Sequence, residues 1–277
     1  MDLRKNLHAH YVICNWNESG DTIVRELHSA VIGDDRPILV VTDHPEDVPA
    51  GEPLDGPDPY RNVFVVPGDP SNDRILDRAD VTDAETVIVL ADTRDGEYAD
   101  ARSVLIALAV EAVNPAIHTI VQLRNARNRI HLEHTSVDEM VCVDELAEKL
   151  VAQAAITHGL TEFYTRLLTA TEDTNEIYLV PVPPGFVGRT YRELELAIID
   201  YEEEDLILVG IQTPAAVQQE VSVQTAPARP ALAINPPNAA RLDQTNAACH
   251  RDHRLAADEQ LFFIAYRPPK LDRLQTP

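Results

Sequence analysis

In the first half of the chain, apolar residues fall in short unbroken runs: "YVICN" (11–15), "PILVVTD" (37–43), "VFVVPG" (63–68), "TVIVLAD" (86–92), "HTIVQL" (118–123) and "MVCVD" (140–144). Runs this short, rich in β-branched side chains and without polar alternation, predict strands of a parallel sheet buried on both faces. Between several of them the pattern takes a helical period, in "DTIVRELHSAV", "SNDRILDRADV" and "ADARSVLIALAVEAV". Strand alternating with helix predicts a Rossmann-like, doubly wound α/β domain with a parallel sheet.

The alternation breaks at residues 144–170, "DELAEKLVAQAAITHGLTEFYTRLLTA", which predict two helices hinged at His158 and Gly159. In the first of them Ala147, Leu150, Val151, Ala154 and Ala155 recur at helical spacing, and small side chains there allow a second helix to approach closely. A crossover that joins two lobes and two subunits is the reading we take; packing within its own domain is the simpler alternative. From residue 176, "EIYLVPVPPGFVGRTYREL", "DLILVGIQ" (205–212), "ALAIN" (231–235) and "EQLFFIAYRP" (259–268) predict a small α+β lobe. Two stretches interrupt it. Residues 213–230, rich in Pro, Ala, Gln and Val, and residues 236–257, polar and short of large apolar side chains, are expected to be mobile surface loops.

Charge narrows the partners. With 46 acidic against 23 basic residues the net charge is -23, which repels phosphate backbones and makes nucleic acid an unexpected partner. The three cysteines, Cys14, Cys142 and Cys249, are too scattered for a disulfide framework and suit a reducing compartment. No apolar run approaches the roughly 20 residues that cross a bilayer, and "MDLRKNLHAH" lacks the apolar stretch of a signal peptide. A soluble, intracellular chain is expected.

The candidate chemistry sits in "HYVICNWNESG" (10–20), where a dinucleotide-binding fold carries its glycine-rich turn. The first glycine of that fingerprint makes the turn, the second admits the pyrophosphate and the third lets helix and strand pack closely. Aligned on the strand, these positions are Asn15, Asn17 and Gly20. Asparagine tolerates left-handed backbone angles, so Asn15 is expected to keep the turn, whereas the Asn17 side chain would project into space the pyrophosphate needs. Asp43, closing the second strand, is placed to grip ribose hydroxyls, although it lies 28 residues beyond Asn15 where the fingerprint has about 20. Gly68 and Asp69 of "GDP" and Asp92 of "LAD" would flank the same crevice at strand C-terminal ends. Alternatively Asp43 and Asp92 cap helices or turns.

"HYVICNWNESGDTIVREL", "VVPGDPSNDRILDRADVTDAETVIVLAD", "DELAEKLVAQAAITHGL" and "IYLVPVPPGFVGRTYREL" together resemble, in order and over nearly the whole chain, the regulator of K+ conductance (RCK) module, made of TrkA-N and TrkA-C domains. The resemblance implies regulation, not catalysis: a ligand-sensing cytoplasmic domain of a prokaryotic potassium channel, lying at the inner face of the membrane beneath the pore. It implies a linker from the pore at residues 1–9, an N-lobe at 10–143, a helical dimerisation segment at 144–172 and a C-lobe at 173–277. It also implies a homodimer through residues 144–170 and an octameric gating ring under a tetrameric pore. NAD(H) or an adenine nucleotide is the ligand the crevice suggests.

Calcium is the rival ligand, since carboxylate oxygens suit it and several related channels are calcium-gated. In calcium-gated members of the family a fourth-strand Asp works with two glutamates after the fifth strand; the corresponding positions here are Leu90, Gln122 and Arg124, so that site is expected to be lost. The remaining metal candidates are Asp92 and Asp95 after the fourth strand, and Glu203 and Glu204 in "DYEEED" (200–205). The spacing of "HLEH" (131–134) could place two imidazoles on one helical face, but no third ligand is evident and a surface or dimer-contact role is the reading we take, and "HRDH" (250–253) is expected in an exposed loop. Three alternatives stay open: an NAD(H)-binding peripheral subunit of a Trk/Ktr-type potassium transporter, an oligomerisation scaffold with a vestigial turn, and a nicotinamide-dependent oxidoreductase. The last would need its second half to supply a substrate pocket with a proton donor or acceptor, for which residues 176–268 offer no clear candidate, and the chain has no GxSxG, HExxH or Walker sequence.

Overall fold

A computed structural model describes residues 7–29, 32, 34–49, 59–169, 171, 174–201, 204–213, 231–234, 252–271 and 274. Glu203, most of the expected linker (1–6), and residues 214–230 and 236–251 of the expected loops, with Cys249 and His250, lie outside the described residues. The chain divides into two compact units between Thr161 and Glu162.

The first unit runs β1 (Tyr11–Cys14), α1 (Ser19–Leu27), β2 (Ile38–Thr42), β3 (Val63–Pro67), α2 (Asp73–Arg78), β4 (Thr86–Val89), α3 (Ala99–Val113), β5 (His118–Leu123), β6 (Glu139–Cys142) and α4 (Val143–Ile156). All six strands are parallel, in the order β3-β2-β1-β4-β5-β6. Every residue of β1, β2 and β4 is buried, as expected of central strands covered on both faces. Val12, Leu39, Val41, Val87 and Ile106 pack in one cluster, and Ile13, Val40, Val24 and Trp16 in another. The strand order reverses direction between β1 and β4, and it is there, outside the strand C-termini, that open α/β sheets hold ligands.

The predicted hinge at His158 and Gly159 separates α4 from α5 (Leu160–Leu168), with Gly159 at φ 86°, a left-handed angle that suits glycine. Neither helix has a buried residue.

The second unit contains β7 (Glu176–Pro181), α6 (Tyr191–Ile199), β8 (Ile207–Thr213), β9 (Ala231–Ile234) and β10 (Gln260–Ala265), with an antiparallel sheet ordered β7-β10-β8-β9. In "GRTYREL" the Thr190 side chain accepts from Glu193 N–H while Glu193 accepts from Thr190 N–H, a capping box that starts α6 where it does. Phe186, Tyr191, Leu194, Leu261 and Phe263 form the core. One expectation is corrected here. Residues 252–257, assigned to the mobile loop 236–257, are built into the unit: Leu255 is buried in its core, Leu255 N–H donates to Arg189 O, and Tyr191 N–H donates to His253 O. An isolated leucine in a polar stretch gave too weak a periodic signal for its burial to be read. Among the described residues, no helix is long and apolar enough to cross a membrane.

Candidate functional site

The crevice is built from the turn after β1. Asn15 N–H extends the ladder to Val41 O, its φ is 67°, and its Nδ2 donates to Leu90 O at 3.1 Å. The side chain thus ties the β1 turn to the end of β4 while the backbone takes an angle that asparagine accepts more readily than most residues. Asn17 Nδ2 donates to Ala91 O and to Gln122 Oε1, both at 2.8 Å, and its Oδ1 accepts from Ser19 N–H at 2.9 Å. The expected projection of this side chain therefore has a defined direction, toward the ends of β4 and β5. The Ser19 bond also draws helix α1 to begin at Ser19, ahead of the "DTIV" predicted to open it.

Gly20 and Gly68 are required by contact. A Cβ on Gly20 would lie 2.8 Å from the ring of Trp16, and one on Gly68, at φ 145°, would lie 2.7 Å from Ile75. Gly20→Ala is expected to destabilise the first unit by about 1–3 kcal/mol, the range for overpacking a filled interior, with the Trp16 emission maximum shifted; an unchanged urea midpoint would show that the ring has room to move.

The carboxylates around this turn are held by two arginines. Arg102, on α3, bonds Asp43 Oδ2 through Nη2, lies 3.4 Å from Asp69 Oδ1 and places Nη1 3.8 Å from Asp95 Oδ2. Asp69 Oδ1 also accepts from Ser71 N–H and Oγ–H, both at 2.9 Å. Arg94 takes Asp92 through Nε at 3.0 Å and Asp47 through Nη1 at 2.7 Å. Asp92 is buried, which by itself raises a carboxyl pKa; the Arg94 side chain and backbone N–H more than offset this and hold it below its ordinary value. Asp92 also accepts from Arg94 N–H as the cap of the turn Thr93–Tyr98, so the capping alternative describes part of what it does.

Topology explains why these contacts matter. Asp43 and Asp47 follow β2, Asp69 follows β3, and both arginines follow β4, whereas β1 lies between β2 and β4. Both arginine bridges therefore pass across the β1 end of the sheet, over the switch point. Asn15, Asn17, Gly20, Asp43, Gly68, Asp69, Asp92 and Asp95 all come to this one rim of the sheet. Sequence reading missed Arg94, Arg102 and Trp16. Arg94 stands two residues from Asp92, a local pattern that could have been noticed, but Arg102 lies 59 and 33 residues from its partners Asp43 and Asp69, and no local signal joins them.

The metal candidates divide. Glu204 Oε2, in the second unit, accepts from Lys270 N–H at 3.0 Å, and Glu203 lies outside the described residues. At the three positions implied for calcium, Leu90 is buried, Gln122 Oε1 also accepts from Ala91 N–H, and Arg124 Nη1 donates to Gly96 O. Among the described residues, no three His, Cys, Asp or Glu side chains group so as to hold a metal ion. His131 ends the short 3-10 helix Ala126–His131 and His134 lies in the following turn, so the two do not share a regular helical face. His253 is not the exposed side chain expected: its Nε2 bonds the buried carboxylate of Glu259 at 2.8 Å.

Separate from the crevice, a cavity of about 1010 Å³ in the first unit is lined by Asp100, Arg124, Arg127, Cys142 and Glu145 among others. Asp100 is committed to its wall, accepting from Arg124 N–H, Asn125 N–H and Asn128 Nδ2.

Residues 11–143 match the TrkA-N domain model. The chain is 29% identical over 178 residues to the calcium-gated potassium channel TvoK of Thermoplasma volcanium, covering 62% of this chain and 47% of that protein. It is 28% identical over 173 residues to potassium channel protein 1 of Methanocaldococcus jannaschii, covering 62% of this chain and 47% of that one. The chain thus spans about half the length of these curated relatives. Its fold resembles that of the human SLO3 gating ring, with a TM-score of 0.60 at 18% identity over 96% of this chain and 46% of the other.

Proposed function

We propose that the chain, whose residues 11–143 match the TrkA-N domain model, is a ligand-sensing regulatory domain that gates a potassium channel through an oligomeric ring at the cytoplasmic face of the membrane. The two potassium-channel relatives and the gating-ring fold support the reading. It is a regulatory role rather than a catalytic one. In this reading residues 10–143 are the sensing lobe, 144–172 the dimerisation segment and 173–277 the C-lobe.

The observation that carries the proposal is that α4 and α5 each expose large apolar side chains. Val151 is 71% exposed, Ile156 78% and Leu168 71%, with Leu146 and Phe163 also exposed. Large apolar side chains exposed together on a helix mark an interaction surface. A second apolar group, Tyr98, Leu105, Leu108 and Ile130, is exposed around α3 and the 3-10 helix that follows β5. A ring built of repeated dimers needs two different contact surfaces on each copy, and these two groups supply candidates for both.

The ligand we favour is an adenine nucleotide or NAD(H), held by the Asn15 turn with Gly20 and Gly68, with Asp43 on the ribose and Asp69 and Asp92 at the rim. Calcium at Asp92 and Asp95 would have to compete with Arg94 and Arg102 for the same oxygens. Whichever ligand acts must bind the open ring more tightly than the closed one, or gating does not shift.

Sedimentation and thermal melting test the reading together, with NAD, NADH, ADP, ATP or calcium near 1 mM and salt held fixed. The wild type is expected to sediment as a dimer or larger and Ile156→Glu as a smaller species; a ligand at about 100 times its dissociation constant adds about 2.7 kcal/mol of stability. A self-associating chain that no ligand stabilises would favour the scaffold, and a monomer without ligand response would remove the proposal.

A further inference from the structure

We propose that Arg102 sets which ligands the crevice accepts: it occupies Asp43, the carboxylate placed to grip ribose, so that a nucleoside binds well only when it brings a phosphate that takes up the guanidinium in exchange. This rests on the nucleotide reading above and goes further, by assigning ligand class to a residue that no sequence motif marks.

Three observations carry it. First, Asp43 is bonded to Arg102 Nη2, so ribose hydroxyls and the guanidinium compete for the same carboxylate. Second, the bridge crosses the β1 end of the sheet, from α3 after β4 to the loops after β2 and β3, which is where a ligand at the switch point must lie. Third, the surroundings are acidic. Asp43, Asp69 and Asp95 face Arg102, and Asp47 and Asp92 face Arg94. Five carboxylates face these two guanidiniums, so a phosphate arriving beside Asp43 meets a cation already bound to carboxylate.

At Arg102, binding a phosphorylated ligand is therefore an exchange. Asp43 trades Arg102 for neutral hydroxyls while Arg102 trades Asp43 for a phosphate oxygen, and the number of ion pairs is conserved. An unphosphorylated nucleoside offers only half of that trade, and leaves Arg102 without the partner it had. The planar fork of arginine suits phosphate as it suits carboxylate, so the same side chain can serve both partners.

Calorimetric titration of the full chain with ADP and with adenosine tests this in the wild type, Arg102→Gln and Arg102→Lys. The wild type is expected to prefer ADP. Arg102→Gln is expected to bind adenosine at least as tightly as the wild type and to lower the ADP-to-adenosine affinity ratio about tenfold, the worth of one charge-assisted hydrogen bond. Arg102→Lys, which keeps the charge without the fork, should recover part of the ratio, which a side chain serving only to pack would not do. An equal ratio in all three proteins, each binding both ligands, would overturn the role of Arg102 and leave the nucleotide site standing. Failure of every variant and the wild type to bind either ligand would instead overturn the nucleotide reading and this inference with it.

Discussion

Glu259→Ala is expected to destabilise the second unit by about 2–3 kcal/mol. Glu259 is only 2% exposed, and its carboxylate is held by three donors: His253 Nε2 at 2.8 Å from Oε1 and 3.0 Å from Oε2, Thr213 Oγ1 at 3.0 Å from Oε1, and Ala256 N–H at 2.8 Å from Oε2. Thr213 ends β8 and His253 lies just before β10, so one buried carboxylate draws together two points far apart in the chain. Breaking a buried charged pair from one side costs about 3–5 kcal/mol, and the partial exposure of His253 brings this case to the bottom of that range or just below it. Glu259→Gln, which retains an oxygen acceptor, should cost about 1 kcal/mol, the worth of an ordinary hydrogen bond. Amide exchange across β10 and residues 252–257 reports the loss; equal protection in the alanine variant would mean the clasp contributes nothing.

The same pair gives the second unit a pH dependence. The bond to Glu259 raises the His253 pKa above its ordinary value, while burial opposes it. Stability from that charge is fully present below about pH 6.5 and is lost as pH rises through the raised value. Burial would raise Glu259, but His253, Ala256 N–H and Thr213 together bring it below its ordinary value. Its share is present above about pH 4.3 and is lost as pH falls through the lowered one. Protection is therefore expected to be greatest in mildly acidic solution and to weaken toward alkaline pH. In His253→Gln, which cannot titrate, the alkaline loss should vanish once intrinsic exchange rates are divided out.

Asp100→Ala is expected to cost the first unit about 2–4 kcal/mol. Asp100 is buried in the first turn of α3, where a negative charge suits the helix N-terminus, and it accepts from Arg124 N–H at 2.8 Å, Asn125 N–H at 2.9 Å and Asn128 Nδ2 at 2.6 Å. Alanine would strand these donors beside the cavity, and buried donors without partners cost about 1–3 kcal/mol each, less where water can reach them. Asp100→Asn keeps one acceptor oxygen but turns an amide toward a donor, so it should fall between. Trp16, the only tryptophan of the chain, lies in this unit and makes its fluorescence a direct reading of the urea midpoint. A midpoint unchanged in Asp100→Ala would show that water satisfies the loop as well as the carboxylate does.

The order of elements was legible because the signal is local. Unbroken β-branched runs, helical periods between them and the "ITHGL" break each depend on a few adjacent residues, and the resemblance of several motifs in order pointed to the family. Asn15 could be read from its position at the end of a strand, since a turn needs a residue that tolerates a positive φ. Less was legible in the second unit, where residues 252–257 reach the core through one leucine and a few backbone hydrogen bonds.

By itself, then, the sequence determined the parallel α/β sheet, the small α+β lobe, the paired helices and the rim on which the nucleotide-binding candidates fall. Only the tertiary structure decided their partners. Arg102 meets Asp43 and Asp69, Arg94 meets Asp47, Asn17 reaches Gln122, and Glu259 binds Thr213 and His253. Whether a carboxylate is free to hold a ligand depends on which cation lies within a few ångströms of it, since charge interactions are felt through space and not along the chain.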